Sequence, residues 1–174
     1  MNALTALKVG TQKSLSFRGR ASRSEYWWFT AWQWAIFFVV ATIGQYINPY
    51  LSSISQVTNF LLNILLVWMV VSNSAAGFRR LHDSGLSGFH YFVPLAFTLV
   101  AAFFLISSLA AILVGPGAEA ANPIAGEALV AWIVFRAVFG LALFISWVML
   151  LWRLRKVSQL GTNKYGPNPH EVQS

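Results

Sequence analysis

Four apolar runs of about 20 residues or more divide this chain, and eleven of its twelve Lys and Arg residues fall in three short clusters outside them. Few folds accept that pattern. A helix rises 1.5 Å per residue, so a run of that length reaches across a hydrocarbon layer of about 30 Å. Lipid offers no partner to a bare N–H or C=O, and an isolated run can satisfy its own backbone only as a helix. The runs cover residues 26–47, 57–77, 89–114 and 128–152. They predict an all-α fold: a polytopic bundle of four transmembrane helices forming a single membrane domain over residues 1–174.

Composition agrees. Hydrophobic residues make up 57% of the chain and charged residues 10%, well below the roughly 25% charged of soluble domains. A net charge of +7 would suggest nucleic acid in a soluble protein. Here the cations flank apolar runs too long for a soluble core, so anionic lipid head groups are the expected counter-charge and nucleic acid is not an expected partner. The absence of Cys excludes disulfides, thiolate metal sites and Cys nucleophiles. The first 25 residues contain no compact apolar core followed by a cleavage site, so the first span is expected to act as its own insertion signal.

The clusters also predict orientation. They are Lys8 to Arg23, the pair Arg79-Arg80, and Arg153 to Lys164. The connection around Asn48 to Tyr50 carries no charge, and the one from 115 to 127 carries Glu119 and Glu127 without a cation. The positive-inside rule then puts both termini and the Arg79-Arg80 loop in the cytoplasm. Tyr26, Trp27, Trp28, Tyr46, Tyr50 and Trp152 sit at span ends, where aromatic belts form. Before the first span, Leu4, Leu7 and Val9 with Lys8 and Lys13 could form a short amphipathic helix on the inner surface, which Gly10 would weaken.

Two motifs carry most of the polar chemistry. In FRGRASRSEYWW (residues 17 to 28), Ser22 and Glu25 have the spacing of a capping box before an apolar run. Arg18, Arg20 and Arg23 would surround that helix N-terminus, an arrangement suited to an anion, although membrane anchoring alone also calls for such charges. In GFRRLHDSGLSGFHYF (residues 77 to 92), the segment reads as a tight turn, with Gly85 left-handed at a helix end and Ser87 capping the next helix. His82 beside Asp83 could be read as an acid/base pair. Neighbours on a helix do not face each other, however, and no nucleophile accompanies them. Asp83 is better placed to pair with an Arg of the first cluster. His82, Asp83, His90 and Glu25 have no metal-ligand spacing, and no cofactor is implied.

These blocks, with the tail GTNKYGPNP, resemble the YhaH/YhaI-type small inner-membrane proteins of bacteria, whose shared domain is of unknown function. The likeness rests on Phe17, Gly19, Arg20, Arg23, Glu25, Tyr26 and Trp27. It continues through Arg79, Arg80, Leu81, His82, Asp83, Gly85, Ser87 and Gly88, and then Gly161, Asn163, Tyr165, Gly166, Pro167 and Pro169. Phe89 stands where Trp would be expected. The resemblance implies a multi-pass protein of the bacterial cytoplasmic membrane and brings no catalytic residue with it.

The remaining polar residues lie within the spans. Arg136 is about 8 residues into the fourth span, roughly 12 Å deep, where it either serves a function or snorkels outward towards Glu127. Asn59, Asn63, Asn73, Ser74 and Gly77, with Thr30, Gln33, Ser107, Ser108 and Ser146, suit helix packing. Pro94 is expected to kink the third helix. Three functions follow in order of preference. The first is a non-enzymatic membrane protein whose basic face, built from Arg18, Arg20, Arg23, Glu25, Arg79, Arg80, His82 and Asp83, binds anionic lipid or a protein partner. The second is a small anion or solute transporter or channel subunit, acting as an oligomer and using Arg136. The third is an enzyme acting on lipid phosphate through His82 and Asp83.

Overall fold

The computed structural model describes residues 1–47, 52–114, 124–169 and 171, with side chains at 1–46, 56–106, 130–169 and 171. Residues 48–51 and 115–123 of the connections expected to face outward, and Ser107, Ser108 and Glu127 as side chains, lie outside the described residues. The described elements are helical: α1 (Ala3–Gln12), α2 (Arg23–Ile47), α3 (Ser52–Asp83), α4 (Phe92–Val114) and α5 (Ile124–Arg155). Four helices are long and apolar enough to cross a membrane, at Arg23–Tyr46, Gln56–Asp83, Gly88–Ile106 and Val130–Arg155. Large apolar side chains face outward along these helices, among them Phe38, Phe60, Phe103 and Phe144. In water that would be unfavourable; in lipid it is the surface such helices need.

The residues form two compact units, one of residues 1–88 and 154–174, the other of residues 89–153. In the second, α4 and α5 are joined by aromatic contacts. Phe104 meets Trp132, Phe135 and Phe139 edge-on at centroid distances of 5.3, 5.5 and 5.7 Å, and Trp147 Nε1 donates to Thr98 Oγ1 at 3.0 Å. Pro94 is the third residue of α4, in its first turn and away from its middle. Its missing N–H is there one of the four that a helix start leaves unpaired in any case, so the expected kink has no cause.

In the first unit α1 packs on α2 and α2 on α3. The expected amphipathic segment is a helix, and Gly10 is what lets it dock. A Cβ at Gly10 would come within 2.2 Å of the Phe29 ring, so only Gly lets the aromatic lie flat against α1. Trp32 Nε1 donates to Ala3 O at 3.1 Å and fixes the other end. Between α2 and α3, Gln33 Nε2 donates to Ser72 Oγ at 2.5 Å. Asn73 Nδ2 reaches Gln33 Oε1 at 2.9 Å and Thr30 Oγ1 at 3.3 Å. Such bonds hold apolar helices together where no hydrophobic force acts between them. Asn59 and Asn63, expected in the same role, are exposed.

The second motif is less of a turn than its composition suggests. Phe78 to Asp83 continue α3, and the turn itself is confined to residues 84–87. It ends the helix in a Schellman arrangement: Leu86 N–H donates to Leu81 O at 2.9 Å, Gly85 N–H to His82 O at 3.0 Å, and Gly85 has φ +76°. A short 3-10 turn, Gly88–Tyr91, then precedes α4.

Candidate functional site

The start of α2 and the end of α3 lie side by side, stapled by Ala21 N–H donating to Arg79 O at 3.0 Å. Ser22 caps α2, accepting from Glu25 N–H at 3.2 Å. Burial pushes the Glu25 carboxyl above its usual range, and the Arg79 guanidinium opposes that shift. The acid at the start of α2 and the cations in the last turn of α3 also match the two helix dipoles.

Asp83 is the centre of the cluster. It is fully buried. Its Oδ1 accepts from Arg20 Nε at 3.0 Å. Its Oδ2 accepts from Arg80 Nη1 at 2.6 Å and from Ser158 Oγ at 2.5 Å. The expected pairing of Asp83 with the first cluster is therefore made, through Arg20. Glu25 Oε1 takes Arg79 Nη2 at 3.4 Å. Arg20, Glu25, Arg79, Arg80 and Asp83 are all buried, so three guanidinium groups meet two carboxylates away from water.

Backbone carbonyls hold the remaining positive charge. Arg20 Nη1 donates to Gly161 O at 2.7 Å and Gly166 O at 3.3 Å, and its Nη2 to Gln159 O at 2.5 Å and Asp83 O at 3.4 Å. Arg80 Nε donates to Leu154 O at 2.9 Å and Nη2 to Lys156 O, which cap the C-terminal end of α5 as a cation should. Arg79 Nη1 donates to Lys13 O at 2.6 Å and Ser16 O at 3.2 Å, while its Nε has no partner among the described residues. The planar fork of Arg suits this multiple bonding; a Lys could not reproduce it.

The tail from Leu154 onwards is thus a third part of the cluster, which its basic composition did not suggest. It contributes main-chain oxygens and Ser158, not its cations. Its turns use Gly161 at φ +67° and Gly166 at φ +131°, and the glycine- and proline-rich run GTNKYGPNP is the one sequence signal for them. Tyr165 stacks on His82 with centroids 3.8 Å apart and planes 6° from parallel, and Asn163 Nδ2 donates to His82 O at 3.0 Å.

The first two motifs converge, but they divide the cations. Arg20, Arg79 and Arg80 face inward. Arg18 and Arg23 are exposed, as are Lys8, Lys13, Arg155 and Lys164 of the same unit. His82 Nδ1 lies 3.2 Å from Gly19 O, and both Asp83 oxygens are engaged by guanidinium groups, so the two residues do not form an acid/base pair. Ser158, hydrogen-bonded to a doubly paired carboxylate, has no base to activate it. Among the described residues His82, Asp83, His90 and Glu25 are not gathered into a metal site. Arg136 is half-buried on α5 in the other unit.

A family described as a protein of unknown function, DUF805, matches residues 14–167. That range takes in both motifs and most of the tail. No curated protein and no solved structure matches the chain.

Proposed function

The chain belongs to the DUF805 family, a membrane protein with four candidate spanning helices, and from that premise we propose a non-enzymatic role at an anionic lipid surface. The buried ion cluster serves as a rigid clamp. The cations left outside it meet lipid phosphates on the cytoplasmic side of a bacterial inner membrane, the setting to which the YhaH/YhaI-type likeness also points. One observation carries this reading. In the unit that holds the clamp, Lys8, Lys13, Arg18, Arg23, Arg155 and Lys164 are exposed, and among the described residues the exposed carboxylate is Glu171. Each such cation is worth on the order of 1 kcal/mol near an anionic surface. The inward arginines give fixed positions to the elements that bear them.

The test is lipid selectivity. The full chain is reconstituted with brominated phosphatidylglycerol or brominated phosphatidylcholine, and tryptophan quenching gives the relative binding constant. The expected ratio favours phosphatidylglycerol several-fold and falls towards one in high salt or when the six exposed cations become Gln. A ratio of one in low salt for the unaltered chain contradicts the reading.

A further inference from the structure

Between α1 and α2 the chain forms a surface hollow of about 580 Å³, lined by Gln12, Ser14, Leu15, Ser16, Phe17 and Arg18. Its backbone is held from within. Arg79 draws the Lys13 and Ser16 carbonyls inward, and the Phe17 ring packs edge-on against Phe78 with centroids 5.1 Å apart. With those acceptors turned away, the N–H groups of Leu15, Phe17 and Arg18 have no acceptor among the described residues. The Arg18 side chain is exposed and makes no ion pair among the described residues. Leu15 is 73% exposed at the same place. A guanidinium, unpaired N–H groups, the Ser16 hydroxyl (that of Ser14 donates to Thr11 O at 2.9 Å) and an apolar rim together suit a ligand with a phosphate at one end and hydrocarbon at the other.

We propose that this hollow seats the phosphodiester head group of one anionic phospholipid, with Arg18 on the phosphate and Leu15 and Phe17 against the glycerol and upper acyl chain. The proposal rests on the anionic-lipid reading above and narrows it to one stoichiometric site. Free phosphate shares the anionic half of that chemistry but would leave the apolar rim unused. Arg79 acts only through the loop: it holds the carbonyls inward and does not touch the lipid.

Native mass spectrometry of the full chain, released from a neutral detergent with phosphatidylglycerol or phosphatidylcholine added, measures the site directly. The expected result is one tightly bound phosphatidylglycerol, weakened about tenfold or more by Arg18→Gln, as loss of a charge-assisted hydrogen bond implies. Arg23→Gln, also exposed but outside the hollow, is expected to change it by less than about twofold. Equal losses in the two variants would overturn the seat and leave the general surface-charge reading standing. No preference for phosphatidylglycerol in the unaltered chain would sink both. Displacement of the bound lipid by millimolar inorganic phosphate would show that the hollow takes the free anion, and would overturn the assignment to lipid.

Discussion

Replacing Asp83 with Ala is expected to cost about 3–5 kcal/mol of stability, the usual effect of removing one partner from a buried ion pair. The reason is what remains. Arg20 and Arg80 stay buried, Arg20 Nε and Arg80 Nη1 lose their carboxylate acceptor, and Ser158 loses its own. Water cannot reach them without opening the junction of α2, α3 and the tail. Asp83→Asn is expected to recover little. The amide is neutral, has one acceptor oxygen in place of two, and turns N–H donors towards guanidinium donors. Glu25→Gln should cost less, because its contact with Arg79 is longer, 3.4 Å, and Arg79 Nη1 keeps two carbonyls. Denaturant titration in mixed micelles with tryptophan fluorescence gives the ranking. An Asp83→Ala loss below about 1 kcal/mol, the level of an exposed pair, would mean that the pair is solvated.

The second large effect is expected at Arg20, in a different pattern. Arg20→Ala frees one side of Asp83 and leaves the Gln159 and Gly161 carbonyls without their Arg20 donor, while Gly166 O keeps the Asn163 N–H. A loss of about 3–5 kcal/mol follows from the same uncompensated burial. The informative variant is Arg20→Lys, which keeps the charge. An ammonium has three donors on one atom and cannot reach acceptors spread around a planar fork, so roughly half the loss should remain, on the scale of one charge-assisted hydrogen bond. The tail should respond first. Amide hydrogen exchange over residues 158–169 is expected to speed up in Arg20→Lys while the middle of α2 and α3 stays protected. Unchanged tail protection would show that the tail is held by something other than Arg20.

Much of this organisation is legible in the residues themselves. The spans follow from run length, the start of α2 from the Ser22–Glu25 spacing, and the end of α3 from Gly85. The meeting of the first two motifs follows from helix order. Two features were not legible, for one physical reason. Arg20, Arg79 and Arg80 read as surplus charge because a sequence displays carboxylates and not carbonyls. Main-chain oxygens are present at every residue, so nothing in the side-chain pattern marks Leu154, Lys156, Gln159, Gly161 and Gly166 as acceptors. The tail's role was hidden in the same way, behind basic side chains that look like membrane anchors. Pro94 and Asn63 show a smaller gap. Residue type allowed a kink at one and a packing contact at the other, but the phase of each helix and the point where α4 begins decided otherwise.

The account turns on a division of the arginines at the basic end into an inner and an outer set. Arginine-selective labelling with phenylglyoxal, read residue by residue by mass spectrometry on the folded chain, measures that division directly. The expected result is rapid modification of Arg18, Arg23 and Arg155, with Arg20, Arg79 and Arg80 protected until the protein is unfolded. Modification of Arg20, Arg79 and Arg80 at the rate of Arg18 in the folded chain would contradict it.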